Sequence, residues 1–171
     1  MPVESFNRLL EGWIKELDRY SLSQLLVKPD AGWSLGQLYL HLTEATGYFL
    51  KEAETCTSGN DNIHGKKFPA AEKMFSDNDF PDLLLEGPPS NAKTPQPVDK
   101  EQILNGLIDL QKRFAEVAAH VEKNPGSSKT KHFGLGYFSA GEWLQFAEMH
   151  MRHHLRQKKR LEEFLKEKSI G

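Results

Sequence analysis

A single cysteine in 171 residues rules out an intrachain disulfide, so the hydrophobic core must carry the fold. The same scarcity suits a reducing compartment, and the expected location is the cytoplasm. No apolar run approaches membrane-spanning length. Met1-Pro2-Val3-Glu4 has no basic stretch leading into an apolar one, so no secretory signal is expected. Charge of one sign is also missing. The net charge is −2, which removes the bulk basic character that binding to nucleic acid or acidic membranes requires. A basic run from Arg152 to Lys168 is interleaved with Glu162, Glu163 and Glu167, the pattern of a solvated helix face. Internal repeats, low-complexity tracts and convincing strand patterns are absent as well.

What is present is helical periodicity in four blocks. Val3 to Tyr20 carries the seam Val3, Phe6, Leu10, Trp13, Leu17 and Tyr20. After a connector to Trp33, a second helix opens at Ser34 with Gln37 as its capping-box partner, and runs to about Cys56. Trp33 and Leu38 supply its hydrophobic staple. A third helix starts at Asp99, with Gln102 completing a box and Val98 against Ile103 as staple, and stops at Asn124-Pro125-Gly126. The fourth opens at Ser139 with Glu142 as box partner and Phe138 stapled to Trp143, then continues unbroken to Ser169. The preceding stretch from Lys129 to Phe138 reads as a Gly-rich loop. The expected fold is therefore all-α, a four-helix bundle forming one domain over residues 1–171.

Between the second and third helices, Thr57 to Val98 holds six of the nine prolines and little periodicity beyond a short helix at Ala70–Phe75. This long, partly irregular connection can run the length of a bundle, which would let those two helices lie parallel. Its apolar groups, Phe68, Phe75, Phe80 and Leu83-Leu84-Leu85, should fold back on the helices. The segment is expected either to wall a pocket or join a dimer contact, or to be a surface excursion without function.

The seams differ in polarity. The first and third are apolar apart from Tyr20, whereas the second contains His41 and the fourth runs Trp143, Ala147, His150, His154, Gln157, Leu161, Phe164. His150 and His154 at i, i+4 share one helix face. A lone core histidine is ordinarily just hydrogen-bonded, but three on two seams suit one divalent ion, as imidazoles otherwise need partners to be buried. Zinc and nickel lead the candidates, and iron would also accept imidazole. His153, turned about 100° from His154, belongs beside the site or on the surface. Gln157 either orients a ligand or is a plain polar contact. Glu44 and Glu148 are acid/base candidates only through closeness in sequence.

Several chemistries fail on spacing. Met151 stands where an H-E-x-x-H protease needs glutamate. A di-iron bundle needs Glu-x-x-His on two helices, which the proposed site lacks. Cys56 has no visible activating partner. The Gly-rich loop before the fourth helix lacks the Lys-Ser/Thr of a phosphate loop.

Two segments carry a resemblance. Trp33-Ser34-Leu35-Gly36-Gln37-Leu38-Tyr39-Leu40-His41 resembles the W-S-x-x-Q-L-x-x-H motif of the DinB/YfiT-like superfamily, and His150-Met151-Arg152-His153-His154-Leu155-Arg156-Gln157 resembles its H-x-x-H-H-x-x-Q motif. His132-Phe133-Gly134 followed by Glu142-Trp143 is similar to the H-P-x-F-G…E-W segment of one branch, without the proline. The resemblance implies a four-helix bundle, often a homodimer, with a three-histidine divalent metal site at His41, His150 and His154. It also implies a thiol-dependent transferase or isomerase using a low-molecular-weight thiol and an electrophilic substrate. A metal-dependent hydrolase is a variant of this reading. The alternative is a non-catalytic, stress-related binding bundle whose metal is structural or vestigial.

Overall fold

The computed structural model describes residues 2–81 and 93–168. The protein is predominantly α-helical, with one small two-stranded sheet. Its elements are α1 (Pro2–Leu17), α2 (Leu22–Leu25), α3 (Leu35–Cys56), α4 (Pro69–Asp77), α5 (Lys100–Lys123), β1 (Thr130–His132), β2 (Gly136–Phe138) and α6 (Ala140–Glu167). The run Leu83-Leu84-Leu85 lies outside the described residues.

The four long helices follow the four periodic blocks, and caps explain where α3, α5 and α6 begin. Ser34 accepts from the Gln37 amide while the Gln37 side chain accepts from the Ser34 N–H, and Ser139 with Glu142 does the same for α6. At α5 the box is only half formed. Asp99 caps the Gln102 amide, but the Gln102 side chain accepts from Val98 N–H instead, and Val98 stays 78% exposed rather than stapling Ile103. Trp33 packs against the core, and its ring also lies against His41 at 4.6 Å.

Contacts between helices set their directions. Along α3, His41 meets His154, Phe49 meets Phe146 and Trp143, and Cys56 reaches Phe138 just before α6, so these two helices are antiparallel. Gly47 and Glu54 lie beside Arg113, and Thr57 beside His120, so α3 and α5 are parallel. The long connection makes that possible, as its length suggested. Trp13 meets Lys158 and Tyr20 bonds Glu162, so α1 runs parallel to α6. The core fills the space between, with Phe6 stacked on Phe114 at 3.9 Å and the Tyr39 hydroxyl donating to the Trp13 carbonyl at 2.8 Å.

Three expectations need correction. The first helix ends at Leu17 rather than Tyr20, and the connector after it holds the one-turn α2, capped by a Ser21/Gln24 box that buries Leu25. The stretch read as a Gly-rich loop is a hairpin, with Thr130 paired to Phe138 and His132 to Gly136. Three-residue strands are too short to show a period of two. Gly136, at φ 92°, lies so close to the Lys66 carbonyl that a Cβ would not fit, and a bridge to Lys67 ties the hairpin to the long connection. Finally, the buried stripe of α6 rotates by one residue after His154, where Gln157 and Phe164 are half-buried while Lys158 and Leu165 are buried. Leu35 begins α3 less than two turns before His41, so α6 soon outruns α3 and packs on α1 instead. The Lys158 ammonium lies 5.8 Å from the Trp13 ring centroid and pairs with Glu162 at 3.0 Å.

Candidate metal centre

His41, on the second turn of α3, and His150 and His154, one turn apart at mid-α6, meet across the antiparallel α3–α6 contact. One ring nitrogen from each lies within 4.8 Å of the others. The Nε2 atoms of His150 and His154 are 3.1 Å apart, close to the roughly 3.3 Å that ligands of a tetrahedral ion at about 2.0–2.1 Å would show. His154 Nδ1 lies 3.0 Å from the Gln157 side-chain oxygen. That oxygen accepts, so Nδ1 carries the proton and Nε2 turns a lone pair toward His150. Gln157 therefore orients His154, the more specific of its two expected roles.

The surroundings keep these rings uncharged. Trp33 covers His41, while Phe49, Phe80 and Phe146 ring His150 at centroid distances of 5.1, 6.1 and 6.2 Å. Burial pushes His41 down to about 4 and His154 to about 3. His150 is held well below the usual histidine range by burial first and by the neighbouring histidines after that. Neutral imidazole is the ligating form, and three of them make a donor set suited to zinc, nickel or iron. The Nδ1 atom of His150 is buried without a hydrogen-bond partner among the described residues, so an apolar core alone gives this ring little reason to be there.

The other sequence candidates fall outside the cluster. Glu148 is tied to Arg152 at 2.8 Å, and Glu44 is exposed on α3. His153 stacks on Phe80 at 4.7 Å and accepts from Arg156 at 3.1 Å. Cys56 is fully buried at the far end of α3, its Sγ 3.6 Å from Thr130 Oγ1 and from the Phe138 carbonyl. Burial pushes that thiol up, so it is a packed core residue and no nucleophile. His132 in the hairpin is buried, stacked on Phe133 and Phe138, with Nδ1 accepting from Gly134 N–H at 3.1 Å.

Two contributors escaped the sequence reading. Trp33 was read only as a staple, and Phe80 only as one of several apolar groups in a segment expected to wall a pocket or join a dimer contact. The second had a signal: Arg152 and Arg156, one turn apart on α6, face Asp79. A pair of arginines at i, i+4 is a recognisable anchor for an acidic turn.

A mostly helical chain with three neutral histidines converging from two antiparallel helices belongs among helical proteins with a tri-histidine cluster. The chain is a member of the DinB superfamily, whose family model matches residues 6–157, a span that includes all three histidines. No curated protein matches it.

The depressed histidines give the chelated protein a pH signature. Each is protonated more readily unfolded, near 6.5, than folded, so the stability it lends is fully present above pH 6.5. That stability is lost as the pH falls through the folded values near 4 and 3. Urea melts after metal chelation should weaken across this window by up to about 1.4 kcal/mol per pH unit for each such histidine. A flat profile between pH 6.5 and 4 would show that the rings are not held neutral.

Proposed function

We propose that this protein is a metal-dependent enzyme of the DinB type, a single four-helix-bundle domain over residues 1–171. In this reading His41, His150 and His154 bind one zinc or nickel ion and leave a position open for a low-molecular-weight thiol. The observation that carries it is the convergence of three neutral imidazoles within 4.8 Å, one of them oriented by Gln157. A divalent ion there would supply Lewis-acid chemistry that makes a thiol or water proton acidic.

The chain's own residues favour the thiol over hydrolysis. Glu148, the carboxylate nearest in sequence, is engaged by Arg152, and Glu44 is exposed, so neither is placed as a general base for water. A thiol needs less help, because coordination alone suffices to remove its proton. The aromatic walls formed by Trp33, Phe49 and Phe80 beside the histidines suit an apolar electrophile. Its carbon would gain the new S–C bond while the leaving group departs with its electron pair and the thiol proton passes to solvent. A cytoplasmic homodimer fits this reading.

The test is consumption of 1-chloro-2,4-dinitrobenzene with glutathione, bacillithiol, mycothiol or cysteine, with and without added zinc or nickel. Metal-dependent conjugation with one thiol is the expected result. Metal uptake without any thiol-dependent turnover would favour a structural metal in a binding protein.

A further inference from the structure

Phe80 is one of the few aromatic neighbours of the histidines that no long helix supplies. It sits past the end of α4, where Asn78 takes the left-handed conformation at φ 53° and turns the chain toward α6. The ring is 7% exposed and packs on His153 at 4.7 Å, on Phe146 at 5.3 Å and on His150 at 6.1 Å. Phe49 and Phe146 floor the cluster from α3 and α6, and Trp33 covers its His41 side. Phe80 closes the His150 side.

The turn that carries it is clamped to α6 by polar bonds. Asp79 pairs with Arg156 at 3.3 Å and with Arg152 at 3.7 Å. Arg152 donates to the Asn78 carbonyl at 2.8 Å, Arg156 to the Pro81 carbonyl at 3.3 Å, and Gln145 to the Asn78 side chain at 3.0 Å. Asp79 also accepts from Phe80 N–H at 2.9 Å, which fixes the backbone under the ring. Three side chains of α6 thus hold a four-residue turn whose own core contribution is a single ring. Two arginines and a glutamine of α6 converge on this one turn.

We propose that Phe80 is the specificity-determining wall of the centre, limiting the size of any group beside His150, and that Asp79 is the positioning residue that holds it there. This rests on the metal-centre reading above. The experiment loads the protein with Co²⁺ and follows its visible spectrum on titration with imidazole and with the bulkier 4-phenylimidazole. Wild-type protein should bind imidazole more tightly than 4-phenylimidazole. Phe80→Ala should shift that ratio toward the larger ligand by roughly tenfold, the discrimination a shaped apolar pocket achieves. Asp79→Asn, a change at a half-exposed side chain, should shift it in the same direction. Phe80→Leu retains most of the packing and covers the case in which the alanine variant does not fold. An unchanged ratio in variants that bind Co²⁺ one-to-one overturns the wall, as does a response to neither ligand in any variant. Failure of wild-type protein to take up Co²⁺ overturns the metal-centre reading and the wall with it, so the two failures are distinguishable.

Discussion

Replacing His154 by alanine will take the protein from one bound divalent ion per chain to almost none. His154 presents Nε2 3.1 Å from that of His150, and removing it leaves two ligands on different helices. Loss of even an outer partner of a ligand costs roughly 10–100-fold in metal affinity, so loss of the ligand should exceed about a hundredfold. Gln157→Ala supplies the graded control, falling within that 10–100-fold range because it frees the His154 ring without removing it. Metal analysis of untagged, dialysed protein checks both. Equal metal content in wild type and His154→Ala would show that these histidines are not the ligands.

The largest effect on stability is expected at Trp143. Its side chain is fully buried, packing on Phe138 at 4.8 Å and Phe49 at 5.7 Å, and its Nε1–H donates to Thr130 Oγ1 at 2.8 Å. It joins α3, α6 and the hairpin at one point. Trp143→Ala should cost about 3–5 kcal/mol, from lost burial and the cavity left behind. For a chain of this size that lowers Tm by roughly 6–20 °C. Trp143→Phe keeps most of the ring contact and loses the hydrogen bond, so it should cost far less, about 1 kcal/mol. Thermal melts that place the two variants together would mean the ring is not the joint described.

Much of this was written locally in the chain. Ser34/Gln37 and Ser139/Glu142 announced two helix starts, because a capping box acts within four residues and needs no tertiary context. The three histidines were legible because polar residues stood out against apolar seams. Their antiparallel meeting was not, since either direction satisfies the same periodicity. Trp33 shows the limit of local rules: its position suited a staple to Leu38, but its contact with His41 was not written in that rule. Phe80 was legible only as one apolar group of a segment expected to wall a pocket or join a dimer contact, and its exact place was not. Nothing within a few residues of Asp79 reveals that its partners are Arg152 and Arg156, more than seventy positions away. The hairpin was missed because three-residue strands are defined by their cross-strand bonds, not by a pattern along either strand.

The cluster joins a residue from the first third of the chain to two from the middle of its last helix, with α5 and the hairpin between them. At a synthesis rate of about 5–20 residues per second, His41 leaves the ribosome roughly 5–20 s before His150 does. During that interval α3 lacks the helix that covers its histidine-bearing face, and a divalent ion meets one ligand of three. In the metal-centre reading, capture of an ion therefore follows docking of α6, which makes it a late event in biogenesis. A chain truncated before residue 150 would keep α1, α3 and α5 and have one ligand of the three, so in this reading metal content reports whether the last helix has been made and docked.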